Sequence, residues 1–231
     1  MKAKLSGLNW KRVVLCFVAV FGMGFFLSFL ILCNLGTDPA TFMNQTISHK
    51  IGISFGNLQL IVNAFMLILV LLWNRSMLGV GTIFNMVLVG YYADFFDWIW
   101  IKVIPESYFT ASASKWIIFL SALFFFIVSV AVYINSDMGV APYDALPILI
   151  AEKVTGKFPK FPKFLVRILW DALAITIGIL YGSIPVVGVI LMALFLGPII
   201  ATVGKILGRF LGETKKESGS RLRGNLKKCI E

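Results

Sequence analysis

The chain has 231 residues, of which 59% are hydrophobic and only 14% charged, and it carries a formal net charge of +10. A soluble domain of this size carries about 25% charged residues and about 45–50% apolar ones, so a soluble globular domain, a disordered chain and a disulfide-stapled module are all excluded. The basic excess does not mark nucleic-acid binding, because its placement is that of a membrane protein: four Lys and Arg lie in residues 2–12, eight in 205–228, and four more at Lys153, Lys157, Lys160 and Lys163, with nearly uncharged stretches between.

In chain order, a basic N-terminus (1–12) precedes residues 13–33, the first predicted transmembrane helix. Val13 to Thr37 carries no charge, a run longer than the roughly 7–15 apolar residues of a signal peptide, so this reads as a retained span. Further spans are predicted at 57–73, 79–98, 116–134, 164–181 and 186–206, each near the roughly 20 residues needed to cross a bilayer. The last two are separated because residues 172–204 form one uncharged run of 33, too long for one crossing, and Tyr181-Gly182-Ser183-Ile184-Pro185 breaks it.

Charge checks the count. With both termini cytoplasmic, 17 of the 21 basic residues lie inside, three (Lys50, Lys102, Lys115) lie outside, and Arg167 falls within a span. Six spans therefore give the consistent topology. Trp98, Trp100 and Trp116 then mark the outer boundary, and Trp10 and Trp73 the inner one. A basic tail (207–231) completes a single membrane domain.

The chain also resembles itself. Asn34-Leu35-Gly36-Thr37-Asp38-Pro39 and Asp137-Met138-Gly139-Val140-Ala141-Pro142 share Gly-x-x-Pro at a displacement of 103 residues. Each is followed by a short, partly apolar segment closing on a glycine, Gly52 or Gly156. Gly81 and Gly90 in the third span recur as Gly188 and Gly197 in the sixth, displaced by 107. The reading is two repeats, 13–100 and 116–206, of three spans each. An odd number of spans makes the second copy enter from the opposite side, an inverted-topology arrangement characteristic of secondary transporters.

These residues carry a family resemblance. Gly139, Pro142, Asp144, Arg167, Gly188, Gly197 and Pro198, with Leu35-Gly36-Thr37-Asp38-Pro39 and Gly79-Val80-Gly81-Thr82 in the first half, resemble the YczE/YitT-type bacterial membrane proteins. Two departures stand out: Gly188 is followed by Val189 where Gly-Thr is common, and Asp171 stands where Glu is usual. The resemblance implies an architecture and a bacterial cytoplasmic-membrane setting; it implies no substrate.

Residues for chemistry are few. Arg167 and Asp171 stand four apart on one helix face. Each alone costs about 2.5–3.5 kcal/mol at a membrane-helix centre, so both are expected to turn inward and offset one another. They read as a substrate or proton site, or as an ion pair in which Arg167 snorkels to the cytoplasmic end. The prolines after the Gly-x-x loops open short helices, 39–50 and 142–153, whose first turns suit an anionic group whether they dip into the membrane or lie flat. Asp38 and Asp144 are then helix caps or site acids. Gln59 and Asn63, also four apart, stand near the position equivalent to Arg167 and Asp171; interhelical hydrogen bonding explains them as well. Thr82 and Asn85 read the same way. Asp94 and Asp97 fall toward the outer end, with Asp94 a minor proton-relay candidate.

Cys16, Cys33 and Cys229 form neither a disulfide framework nor a ligand spacing, and His49 is the only histidine. No metal, cofactor or enzymatic chemistry is expected. The sequence thus points to an all-α membrane protein of six helices. Its expected function is a secondary permease for a small anionic or zwitterionic solute, with a homo-oligomer or a partner membrane protein as a further association. Two rivals stand beside it: a non-transporting assembly or regulatory partner, and a substrate-capture subunit of an energised importer.

Overall fold

The computed structural model describes residues 10–210; the expectations for residues 1–9 and 211–231 lie outside these. The described chain is helical, without a strand. In order it forms α1 (Trp10–Cys33), α2 (Pro39–Ile51), α3 (Phe55–Trp73), α4 (Val80–Val103), a single turn α5 (Ser107–Thr110), α6 (Ser112–Asn135), α7 (Pro142–Lys157), α8 (Lys163–Leu180) and α9 (Val187–Phe210). A 3₁₀ turn, Arg75–Met77, joins α3 to α4.

Four helices, α1, α3, α6 and α9, are long and apolar enough to cross a membrane. Helices α4 and α8 fall outside that set; they carry Asp94, Asp97 and Lys102, and Lys163, Arg167 and Asp171. The predicted third span runs five residues further than expected, to Val103.

The helices pack in two groups that α3 joins by lying along α4. In the first, α1 lies against α4 and α6, and α6 against α9. Its core is apolar: Cys16, Val20, Leu27 and Leu30 of α1 are fully or almost fully buried against Val89 and Ala93 of α4 and Phe119, Ala122 and Phe126 of α6. Burying one such side chain contributes about 1.5–3 kcal/mol relative to water, but in lipid the gain comes from close packing. Val14, Phe17, Val18 and Phe21, on the other face of α1, stay exposed. In the second group α2 packs on α8, and α7 on α3 and α8. Met43, Tyr143 and Ala174 form one small core there, and Val70, Ala145, Leu146 and Leu149 another.

Direction follows from contacts along each pair. Arg12 Nη1 lies 3.7 Å from Asp137 Oδ2, a Cβ on Gly22 would meet Ser129, and Cys33 Sγ lies 3.7 Å from the Lys115 carbonyl. Early α1 meets late α6 and late α1 meets early α6, so the two run antiparallel. On α4, by contrast, Gly81 faces Cys16, Tyr92 faces Gly24, and Trp100 Nε1 donates to Ser28 Oγ at 3.0 Å. Helices α1 and α4 run parallel. Gly56 against Gly90, with Tyr91 Oη donating to Asn57 Oδ1 at 2.8 Å, makes α3 antiparallel to α4.

Two loops repeat a backbone conformation. Asn34 and Asp137 both adopt positive φ (45° and 54°), and Gly36 and Gly139 follow two residues later at 141° and 110°. Asn and Asp are the non-glycine residues that best tolerate the left-handed region. Each loop is pressed onto the start of a distant helix. A Cβ on Gly36 would lie 2.5 Å from the Gly188 backbone at α9, and one on Gly139 would lie 2.5 Å from Gly79 N before α4. The second contact is stitched by Gly81 N donating to Met138 O (2.7 Å), Val140 N to Met77 O (3.0 Å) and Thr82 Oγ1 to Val140 O (2.9 Å).

The paired glycine closures expected of the short helices diverge. Gly52 ends α2 in the left-handed conformation (φ 74°), its N–H donating to Ser48 O. Gly156 instead lies inside α7, which continues to Lys157, four residues beyond the predicted end.

Candidate functional site

The charged residues of α7 and α8 meet in one network. Asp144 stands in the first turn of α7, where Pro142 supplies a ready-made helical φ. Arg167 and Asp171 share the inner face of α8 with Ala174 and Gly178, while Leu169, Leu173 and Leu180 on its other face are exposed. Arg167 Nη1 donates to Asp144 Oδ1 at 2.6 Å, and its Nε donates to Asp171 Oδ2 at 3.0 Å. Tyr143, also in the first turn of α7, donates its hydroxyl to Asp171 Oδ1 at 2.8 Å. The guanidinium carbon stands 5.6 Å from the centre of the Tyr143 ring, and the centre of the Trp170 ring lies 5.7 Å from that of Tyr143.

Every oxygen of Asp171 is therefore engaged, one by a phenol and one by a guanidinium. Its side chain is 4% exposed, whereas those of Arg167 and Asp144 are 41% and 43% exposed. The network has a buried end at Asp171 and an exposed end at the Arg167–Asp144 bond. Charge-assisted hydrogen bonds of this kind are about twice as strong as neutral ones, and a guanidinium presents two of them in a fixed fork.

Asp38 is the N-cap of α2. Its Oδ1 accepts from Thr41 N at 3.1 Å and its Oδ2 from Thr41 Oγ1 at 2.6 Å. It lies within electrostatic range of Asp144 and Arg167 without bonding to either. Of the two readings left open by sequence, Asp38 satisfies the cap, while Asp144 caps nothing and serves the ion pair.

Gln59 and Asn63 are buried on α3 but stay apart from this network. Asn63 Nδ2 donates to Gln59 O at 3.0 Å, and the Gln59 side chain packs against Gly90 of α4. Taking Gln59 with Arg167 and Asn63 with Asp171 as equivalents, each displaced by 108 residues, one half of the molecule holds neutral amides where the other holds the ion pair. Asp94 Oδ2 accepts from Gly56 N at 2.8 Å, reaching the start of α3 from a neighbouring helix.

Tyr143 and Trp170 are the members that sequence reasoning missed. Their signal was adjacency alone, Tyr143 beside Asp144 and Trp170 beside Asp171. Trp170 Nε1 and Asn44 Oδ1 are buried with no hydrogen-bond partner among the described residues. Among those residues no group of three His, Cys, Asp or Glu side chains is placed to hold a metal ion.

Residues 10–205 match the family of unknown function DUF6198. The chain belongs to that family. A curated relative, the uncharacterized membrane protein YczE of Bacillus subtilis (strain 168), is 30% identical over 120 residues, covering 52% of this chain and 53% of that protein. The chain thus spans about half the length of the curated relative it matches. No solved structure matches it. Membership of a membrane family and four bilayer-length apolar helices put the chain in a lipid bilayer.

Proposed function

We propose that the protein is a secondary transporter of the cytoplasmic membrane, carrying a small zwitterionic or anionic solute between two halves of inverted topology. In this reading all six of α1, α3, α4, α6, α8 and α9 span the membrane. Helix α8 supports its own crossing: its 18 residues extend about 27 Å, with apolar leucines outward and Arg167 and Asp171 inward, the reverse of a soluble helix.

The inverted relation draws on three observations. Helices α1 and α6, equivalent by the displaced loop motifs, run antiparallel. The loops at 34–36 and 137–139 take positive φ at the same two positions. Helix contacts are also paired under exchange of halves: α1–α4 with α6–α9, α3–α4 with α8–α9, α2–α8 with α7–α3, and α2–α3 with α7–α8. Each short helix thus docks on a long helix of the opposite half, the intertwining through which halves rock about a shared site.

The observation that carries the functional reading is the Arg167–Asp144 bond. It joins two helices, it is the exposed end of a network anchored at Asp171, and both of its partners can be served by a solute instead. A solute carboxylate would replace Asp144 on the guanidinium, and a solute ammonium would replace Arg167 on Asp144. A zwitterion does both at once, opening the α7–α8 bond without leaving either charge unpaired.

The test is a thermal-shift screen of the purified full-length chain against amino acids, amines and small organic acids, followed by uptake into proteoliposomes. Stabilisation by a zwitterion, lost in Asp144→Asn, with uptake lost in Asp171→Asn, is the expected result. Uptake unchanged in Asp171→Asn removes that residue from the mechanism. Absence of any solute-dependent stabilisation, together with a stable co-purifying protein, would move the assembly-partner reading ahead.

A further inference from the structure

At the far end of α7 from the ion pair, a cleft of ≈ 160 Å³ lies between α7 and the end of α3, lined by Trp73, Ile150, Lys153, Val154, Lys157 and Phe158. Lys153 Nζ stands 4.9 Å from the centre of the Trp73 ring and Lys157 Nζ 5.7 Å from that of Phe158. Both lysines are exposed, and neither forms an ion pair with a carboxylate among the described residues.

From this arrangement we infer that the cleft binds the headgroup of an anionic phospholipid. Two ammonium groups held over aromatic rings at the rim of an apolar helix present a phosphodiester with several donors at the depth where headgroups lie. The apolar surface beneath suits the rest of the lipid. Leu69 sits one turn before Trp73 on the same face of α3 and is 38% exposed, and Ile68 and Leu72 beside it are 56% and 80% exposed. A soluble anion would use the ammonium groups and leave this apolar strip bare. A phospholipid covers both, which is the ground for choosing it. The site is separate from the Arg167 network and stands whether or not the chain transports a solute.

The experiment is native mass spectrometry of the purified full-length protein in detergent containing equal amounts of phosphatidylglycerol and phosphatidylcholine of matched acyl chains. Wild type retains phosphatidylglycerol preferentially. Removing each lysine lowers that preference about fivefold, so Lys153→Ala/Lys157→Ala abolishes most of it, while Lys153→Arg/Lys157→Arg keeps it. Lys160→Ala/Lys163→Ala, which removes equal charge outside the cleft, leaves it within about twofold. Excess glycerol phosphate does not displace the lipid. The proposal is overturned if wild type shows no preference, if both alanine pairs lose it equally, or if glycerol phosphate displaces the lipid, the last result assigning the cleft to a soluble anion. The wild-type and arginine measurements decide the matter even if the Lys153→Ala/Lys157→Ala protein fails to fold.

Discussion

Asp171 accepts hydrogen bonds from two different helices, from Tyr143 on α7 and from Arg167 on its own α8, and it is almost wholly removed from water. Its environment makes the three surrounding side chains unequal. Tyr143→Phe deletes one donor and leaves Asp171 Oδ1 without its partner, which should cost about 1–3 kcal/mol in unfolding of the detergent-solubilised protein. Arg167→Ala strands two carboxylates, one of them buried, and should cost about 3–5 kcal/mol. Asp144→Asn touches the exposed end and should cost the least of the three. Arg167→Lys should recover little of the Arg167→Ala loss, because one ammonium cannot reproduce the Nε and Nη1 fork to two carboxylates. Equal costs for all three would mean that burial does not set the two ends of the network apart. Arg167 and Asp171 could be paired from their spacing, since helix geometry fixes residues four apart on one face. Tyr143 could not, because its meeting with Asp171 depends on how α7 lies across α8.

The two Gly-x-x-Pro loops work as tightly fitted connections between α1 and α9 and between α6 and α4. Gly36 and Gly139 occupy a backbone region that L-residues rarely adopt, with another backbone already in van der Waals contact. Gly36→Ala and Gly139→Ala should each lower stability by more than about 2 kcal/mol, since conformational strain of about 1–3 kcal/mol adds to a clash that side-chain movement cannot relieve. Gly156→Ala should do the opposite. Gly156 lies inside α7 with open space around it, so alanine should raise stability by about 0.5–1 kcal/mol. Thermal unfolding of the three variants checks both signs, and a destabilised Gly156→Ala would contradict the continuous α7. The sequence grouped Gly156 with Gly52 as a helix stop because composition reports where glycine is and not which φ it takes. The prolines at the loop ends were more informative: Pro39 and Pro142 open α2 and α7 where expected, because a fixed φ and a missing N–H suit the first turn, although Pro147 and Pro198 lie inside α7 and α9.

At the scale of the whole molecule, length and charge were enough to propose spans and their directions, whereas the docking of α2 on α8 and of α7 on α3 had no signature in either. Small and apolar residues serve any close helix contact, and only the folded chain selects the partner. The direction of each span can nevertheless be tested against the charge pattern. Arg12 meets Asp137 at one end of the α1–α6 pair, Met138 meets Gly79 and Gly81 at that same end, and Lys153 and Lys157 reach the end of α3 that leads into Gly79. The basic residues at the start of α1 and at the end of α7 thus collect on one side, the side expected to face the cytoplasm. Lys50, in the last turn of α2, follows the opposite end of α1 and is expected outside. In a chain with Cys16, Cys33 and Cys229 replaced by serine or alanine, a single cysteine at Lys50 should react with a membrane-impermeant maleimide on intact cells. One at Lys157 should react only after permeabilisation. Both positions are exposed, so failure to react reports sidedness and not burial. Reaction of both from outside would place α2 and α7 on the same side and make the duplication parallel, leaving no inverted pair of halves to alternate about Arg167 and Asp144.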